Sequence, residues 1–242
     1  MCQKIRKRER KKVNDFFETS LFVGVSINLI SYFLGVSLKK RFKNELLNPL
    51  LISILVTIIV LVLLNIDYDI YYRGAMYISW FLTPATVCLA VPLYEQWQLL
   101  KNNFKAVSVG IFSGVITSMV SIFVFSKLLG LSHKQYVTLL PKSITTAIGI
   151  GVSEELGGYV TITVVVIVIT GILGNIFGEK ICKLFKINNP ISKGLAFGTA
   201  AHVMGTAKAI ELGEIEGAMS GLSVAVAGVM TVLLAPFFVN FM

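Results

Sequence analysis

Charged residues are scarce in this chain, at 14% of the sequence, whereas 55% of its residues are hydrophobic. The mean hydropathy is +0.78, and this composition excludes an ordinary soluble domain. Cysteine and histidine are also rare, with three scattered cysteines (Cys2, Cys88, Cys182) and two histidines. An odd set of distant cysteines gives no disulfide framework, and no cysteine–histidine cluster has the spacing of a metal site. We therefore expect no metal and no cofactor.

Recognisable catalytic motifs are missing as well. The sequence contains no HExxH, no GxSxG and no glycine-rich phosphate loop, the motifs that mark metalloproteases, serine hydrolases and nucleotide-binding proteins. Ser143, His202 and a glutamate could in principle form a nucleophilic set, but nothing in their spacing supports one. The sequence predicts a protein that is not an enzyme.

The hydrophobic residues occur in blocks long enough to cross a bilayer, for which a helix needs about 20 residues. We predict an all-α, polytopic helical membrane protein with about seven or eight transmembrane or re-entrant segments, two or three of them interrupted. The candidate segments are 19–38, 49–66, 74–94, 106–127, 135–152, 159–179, 191–210 and 217–241.

The net charge of +9 is concentrated in basic runs beside the first segment, KIRKRERKK at 4–12 and KKRFKNE at 39–45. Such runs touch anionic headgroups and set topology, and no interleaved aromatics suggest nucleic-acid binding. We predict a basic cytoplasmic start with the first segment over 1–45, and a membrane domain over 46–242. Simple alternation cannot place the basic loops 39–45, 101–105 and 180–186 on one side. Either one interrupted segment is re-entrant, or the first segment is not a full span.

Two apolar segments carry polar, helix-breaking centres: LTPATVCLAVPLYE (82–95) and LLPKSITTAIGIGVSEELGG (139–158). The first contains Pro84 and Pro92, and the second contains Pro141 and Gly149. Lipid tolerates broken helices only where the freed backbone groups face protein or a water-filled cavity. Paired interruptions in corresponding positions indicate a transport site.

Polar side chains follow Pro141 directly: Lys142, Ser143, Thr145 and Thr146. Lys142 could lie at a helix end and extend to the headgroups. It could equally line a wet cavity, where a cation, hydroxyls and freed amides suit an anionic substrate.

A third polar segment runs from Gly194 to Gly217. On a helix, Thr199, His202 and Thr206 share one face because they are three and four residues apart. His202 could relay a proton, since its pKa lies near neutrality, or could be a hydrogen-bonded partner between helices. The glycines, Gly205 among them, favour close packing or bending of the backbone.

An internal repeat of about 57 residues is compatible with the sequence. This shift aligns Pro84 with Pro141 and Thr145 with His202. Each unit would then be one interrupted segment followed by a regular helix with small residues at mid-depth. If each unit crosses the bilayer an odd number of times, neighbouring units are inverted.

The three polar segments resemble the signature regions of the LrgB/CidB family, and the resemblance covers roughly residues 46–242. The chain departs from the commoner pattern at Ala147-Ile148-Gly149 and at Ala200-Ala201. The residues that match the family motif are Pro84, Thr86, Pro92, Pro141, Lys142, Ser143, Thr145, Thr146, Thr199, His202, Gly205, Thr206 and Glu211.

The resemblance implies an antiholin-like protein of the bacterial cytoplasmic membrane that modulates murein hydrolase activity and autolysis. It also implies a small LrgA/CidA-like membrane partner, and a homo-oligomer is compatible with it. A related plant chloroplast protein exchanges glycolate and glycerate, and bacterial relatives are linked to pyruvate uptake. The alternative is a non-transporting protein that binds the LrgA/CidA-like partner and controls its assembly. Lipid-facing glycine stripes, such as Gly171 with Gly174 and Gly178, would support that alternative.

We expect a small monocarboxylate to pass through a cavity lined by the interrupted segments. Lys142 would attract the anion and His202 would carry a coupled proton. The hydroxyls expected to bind the substrate are those of Thr86, Ser143, Thr145, Thr146, Thr199 and Thr206.

Overall fold

The structure is a computed structural model, and it describes residues 22–42, 47–81, 84, 87–88, 90–95 and 97–242. All regular secondary structure in these residues is helical, as predicted. The chain divides into two units, Met1–Cys88 and Leu89–Met242. The described helices of the first unit are α1 (Val23–Phe42), α2 (Pro49–Leu64) and α3 (Tyr68–Ser79).

Small and polar side chains join the three helices of the first unit. Gly24 on α1 lies against the backbone of Gly74 and Ala75 on α3, at a distance that leaves no room for a side chain. Tyr71 donates a hydrogen bond to Asn28 Oδ1 at 2.8 Å. Such close approaches and polar contacts are typical of helices that pack in lipid.

The second unit contains the remaining described helices. Three of them, α6, α9 and α11, are long and apolar enough to cross a membrane, and the chain is a helical membrane protein. The helices are α4 (Ala90–Glu95), α5 (Trp97–Asn102), α6 (Phe104–Leu128), α7 (His133–Leu139), α8 (Thr146–Glu155), α9 (Val160–Leu184), α10 (Pro190–Leu212) and α11 (Glu214–Val239).

Local sequence signals fix where α7 and α10 begin. Ser132 and Gln135 form a capping box at the start of α7. Asn189 caps α10 by accepting from Ser192 N, and Pro190 occupies the first turn, where its missing N–H costs nothing.

The segment that contains Pro141 is a helical hairpin. The chain leaves helical structure at 140–145, between α7 and α8. Thr163 Oγ1 then bridges the two arms, since it lies 2.9 Å from the carbonyl oxygen of Thr138 on α7 and 2.7 Å from Ser153 Oγ on α8. In a continuous helix Thr138 and Ser153 would be about 22 Å apart. The chain therefore turns back, and residues 140–145 form the tip of this first hairpin.

The segment that contains His202 is a second hairpin. Ala201 (φ −130°, ψ 16°) and His202 (φ 44°, ψ −139°) interrupt α10. Gly198 before the break lies against Ser220 of α11, and Thr206 after it places Oγ1 2.9 Å from Ser220 Oγ. Two residues eight positions apart thus contact the same residue, although a straight helix would separate them by about 12 Å.

The two hairpins enter from opposite ends of the unit. The first begins where α11 ends, because Tyr136 donates to the carbonyl oxygen of Phe238 at 2.8 Å. The second begins and ends where α11 begins, because Gly194 lies against Glu216, and Gly217 lies against Ile210. We call the latter the basic end, after the lysines that end α9 and begin α6.

These findings correct several boundaries predicted from the sequence. Segments 135–152 and 191–210 are hairpins rather than single spans. In segment 74–94, which was predicted to be interrupted, α3 ends at Ser79 and residues 80–81 form a turn. Pro92, predicted to break a helix, lies in the first turn of α4, where proline is tolerated.

Two predicted helix-breaking glycines are also helical. Gly149 lies within α8, and Gly205 lies in the second arm of α10. Both permit close packing instead, since a side chain at Gly149 would meet Ile167 and one at Gly205 would meet the carbonyl oxygen of Phe197. The breaks themselves fall at 140–145 and 201–202.

Candidate functional site

A cleft of about 590 Å³ runs between α6 and the first arm of α10. Its lining begins with Ala106 and Ile191 near the basic end, and its deep end contains Lys142 and Ser143 of the first hairpin tip. Clefts of this size commonly hold small ligands. The whole cleft is lined by Ala106, Gly110, Ser113, Gly114, Thr117, Ser118, Ser121, Lys142, Ser143, Ile191, Ser192, Leu195, Ala196, Thr199 and Ala200.

Lys142 is the only charged residue among the described residues that line the cleft. Its Nζ donates to Ser143 Oγ at 2.8 Å, and Ser143 Oγ lies 3.1 Å from Ser118 Oγ on α6. Among the described residues no carboxylate forms an ion pair with Lys142. The cleft therefore presents a half-buried ammonium group without a fixed counter-charge. Hydroxyl groups that can donate hydrogen bonds to an anion lie beside it.

The tip of the first hairpin meets α6 near its middle. Ser118 is about 21 Å from the first residue of α6 and about 15 Å from the last, at about 1.5 Å per residue. Lys142 is therefore far from both helix ends. Its placement favours the cavity-lining interpretation over the alternative in which the ammonium group reaches the headgroups.

Hydroxyl and small residues form a stripe along α6 that sequence reasoning did not identify as part of the site. Ser113, Thr117 and Ser121 follow one another at four-residue intervals, so they lie on one helix face. The four-residue spacing of these hydroxyl residues was the sequence signal that could have identified this helix face as part of the site. Serine and glycine at this spacing are also typical of ordinary packing between apolar membrane helices.

The second hairpin contributes Thr199 to the cleft, close to its tip. Thr199 lies against Gly114, where a side-chain carbon would come within 3.0 Å of Thr199 Oγ1. The hydroxyl donates to the carbonyl oxygen of Leu195 at 2.7 Å, and its lone pairs remain available as acceptors. Both hairpin tips therefore reach the same cleft.

His202 and Thr206 lie outside the cleft, in a buried network behind it. His202 Nε2 donates to the carbonyl oxygen of Ile167 at 3.0 Å, and Thr206 Oγ1 donates to the carbonyl oxygen of His202 at 3.1 Å. Asn175 donates to the carbonyl oxygen of Met204 at 2.9 Å. The bonds to Ile167 and from Asn175 hold the second tip against α9, so His202 is a hydrogen-bonded partner between helices. A proton-carrying role for His202 stays a prediction.

The glycines of α9 make room for this tip. A side chain at Gly171 would meet His202 and Met204, one at Gly174 would meet Ala201, and one at Gly178 would meet Phe197. The stripe that would have supported a lipid-facing partner surface is therefore an internal contact.

The remaining predicted binding residues are placed differently. Thr145 precedes the first turn of α8 and Thr146 begins that helix, and neither lines the cleft. Pro84 is described and helical, but Thr86 lies outside the described residues. The contribution of the Pro84 segment stays a prediction.

Fold and site together define a helical membrane protein whose cleft is built from broken helices at mid-helix depth. Residues 28–241 match the model of the LrgB-like family. The chain is 36% identical over 221 residues to the antiholin-like proteins LrgB of Bacillus cereus (strain B4264) and Bacillus anthracis (strain CDC 684), which covers 91% of this chain and 96% of each relative. This chain belongs to the LrgB-like family. No solved structure matches it.

Proposed function

We propose that this protein transports a small monocarboxylate of the glycolate, glycerate or pyruvate class across the bacterial cytoplasmic membrane. Through that flux it acts as an antiholin-like modulator of murein hydrolase activity and autolysis. The observation that carries the proposal is the ammonium group of Lys142, the one charged group among the described lining residues, at the deep end of a cleft with hydroxyls along its walls. The proposed activity is not enzymatic and needs no cofactor.

The hairpins support transport because they interrupt the helices where a substrate site needs freed backbone groups. We infer that both are re-entrant in the membrane. The hairpins begin at His133 and Pro190 and end at Glu155 and Leu212, and both pairs are 57 residues apart. A unit of one spanning helix and one re-entrant hairpin crosses the bilayer once, so the two units would be inverted repeats.

The lysines of the basic end support an orientation. Lys101 and Lys105 adjoin the start of α6, while Lys180, Lys183 and Lys186 lie at the end of α9. With re-entrant hairpins these two basic stretches share one side, which the positive-inside rule assigns to the cytoplasm. The shallow part of the cleft would then face the cytoplasm, and the flanking lysines would concentrate anions there.

An anion at the deep end would meet Lys142, Ser143 and Ser118 together. The ammonium group supplies the charge, and the hydroxyls of Ser118 and Ser143 supply hydrogen bonds to the carboxylate oxygens. Thr199 and Thr117 would contact the other end of a small acid. Transport is favoured over the partner-binding alternative because the glycine stripe on α9 is used internally.

The test is uptake of radiolabelled glycolate, glycerate and pyruvate into proteoliposomes by the wild type, Lys142→Ala and Lys134→Ala. Lys134 is the matched control, since it lies on the same hairpin but outside the cleft. A hydrogen bond to a charged group contributes about 1.5–3 kcal/mol, so we expect Lys142→Ala to weaken uptake roughly 10–100-fold. Lys134→Ala should stay near the wild type.

Two results would count against these assignments. Absence of uptake of all three acids by the wild type would remove the transport proposal. Equal uptake by the wild type and Lys142→Ala would leave transport intact and remove the role of Lys142.

A further inference from the structure

A second, much smaller pocket of about 10 Å³ lies where the two hairpin tips meet. It shares Ser118, Ser143 and Thr199 with the cleft, and Thr231 of α11 completes a set of four hydroxyl residues. A pocket of this volume holds roughly one water-sized particle. The remaining lining residues are apolar, and two of them, Leu140 and Ile144, belong to the tip of the first hairpin.

Thr231 is a hydroxyl residue of this pocket for which the structure gives no hydrogen bond to a described residue. The residue is 4% exposed and lies in the second half of α11. A buried hydroxyl usually has a partner, and one that lines a pocket without a partner indicates an occupant with polar chemistry.

We propose that this pocket binds a dehydrated monovalent cation, Na⁺, which couples to the acid of the proposed transport function. Hard cations take oxygen ligands, and the carbonyl oxygens of unwound tips are a recurrent source of Na⁺ ligands in transporters. The described lining contains hydroxyls but no carboxylate. Neutral ligands compensate a single charge more easily than a double one, which favours a monovalent ion over Mg²⁺ or Ca²⁺.

Lys142 explains why the cation and the acid would bind together. Its ammonium group is hydrogen-bonded to Ser143, which lines both the pocket and the cleft. The ammonium group repels a cation in the pocket, and a carboxylate bound in the cleft neutralises that repulsion. Each ligand therefore raises the affinity for the other by the same factor, as reciprocal linkage requires.

Thermal unfolding of the detergent-solubilised protein in NaCl and in choline chloride, at equal ionic strength, tests the ion site without any transport. We expect the wild type to gain several degrees in Tm with NaCl, because a ligand that binds only the folded state stabilises it. Thr231→Val removes the oxygen at constant volume and should raise the half-saturating Na⁺ concentration about tenfold or more. Thr231→Ser should retain the effect.

Two further variants sharpen the test. Thr170→Val makes the same chemical change at the middle of α9, outside both cavities, and should respond to NaCl like the wild type. Lys142→Met should bind Na⁺ more tightly than the wild type when no acid is present, because the repelling charge is gone.

Each outcome decides for or against the site. Equal Tm values in NaCl and choline chloride would show a pocket that holds only water and would overturn the proposal. An undiminished Na⁺ response in Thr231→Val would do so as well. Uptake that proceeds equally in both salts would overturn the coupling and leave the proposed transport intact, whereas a Na⁺ response without uptake would contradict only the transport.

Discussion

His202 is the residue at which the backbone of the second hairpin is most strained. Its φ of 44° with ψ of −139° is a combination that glycine adopts easily and other residues rarely do. Such a conformation costs of order 1–3 kcal/mol and persists only where the surroundings impose it. The imidazole bond to Ile167 and the glycines of α9 impose it here.

This strain predicts an unusual ranking of two substitutions. His202→Gly and His202→Ala both lose the imidazole, but only glycine relieves the backbone. We expect His202→Gly to exceed His202→Ala in stability by about 1–2 kcal/mol, which thermal unfolding in detergent measures. In an ordinary helix alanine would be the more stable by about 1 kcal/mol. An alanine variant at least as stable as the glycine variant would contradict the turn at residue 202.

At the scale of the elements, the break at Pro141 was predictable from sequence, but the break at 201–202 and the direction of the chain after each break were not. Proline and hydroxyl residues in an apolar segment indicate a break at Pro141, because proline lacks the N–H of the helical ladder and hydroxyl side chains compete for the backbone groups nearby. Whether the chain continues in the same direction or turns back depends on contacts between residues that are far apart in the sequence. The bond of Thr163 with Thr138 and the packing of Gly198 and Thr206 on one residue are contacts of that kind.

The hairpin geometry makes a prediction for labelling in intact cells. The two arms of the first hairpin have their outer ends together, so Lys134→Cys and Glu155→Cys should react with a membrane-impermeant maleimide from the same side. Lys186→Cys, at the basic end, should react only from the other side. All three positions belong to exposed or loop residues, and Cys2, Cys88 and Cys182 are first replaced by serine. Labelling of positions 134 and 155 from opposite sides would contradict the re-entrant hairpin.

At the scale of the whole molecule, only the part of the site that the hairpin tips supply could be predicted from the sequence. Lys142, Ser143 and Thr199 line the cleft as expected, because polar residues beside a break stand out in an apolar chain. The α6 wall was missed, since serine and glycine at four-residue spacing also serve ordinary helix packing. His202 was equally conspicuous in the sequence, yet it lies behind the cleft. The backbone turn that begins at Ala201 directs its side chain to the carbonyl oxygen of Ile167 on α9.

An experiment on the whole protein in cells distinguishes the two ways in which it could act on autolysis, namely carboxylate transport and binding of a partner. If carboxylate flux is the cause, a variant that folds and reaches the membrane but cannot bind the acid must lose the effect. We expect wild-type protein, expressed in a host lacking its own copy, to restore the normal rate of detergent-induced lysis, and Lys142→Ala to leave the deletion phenotype unchanged. Lys134→Ala should restore it. Full restoration by Lys142→Ala, at equal membrane abundance, would move the regulatory role from the cleft to a surface that binds an LrgA/CidA-like partner.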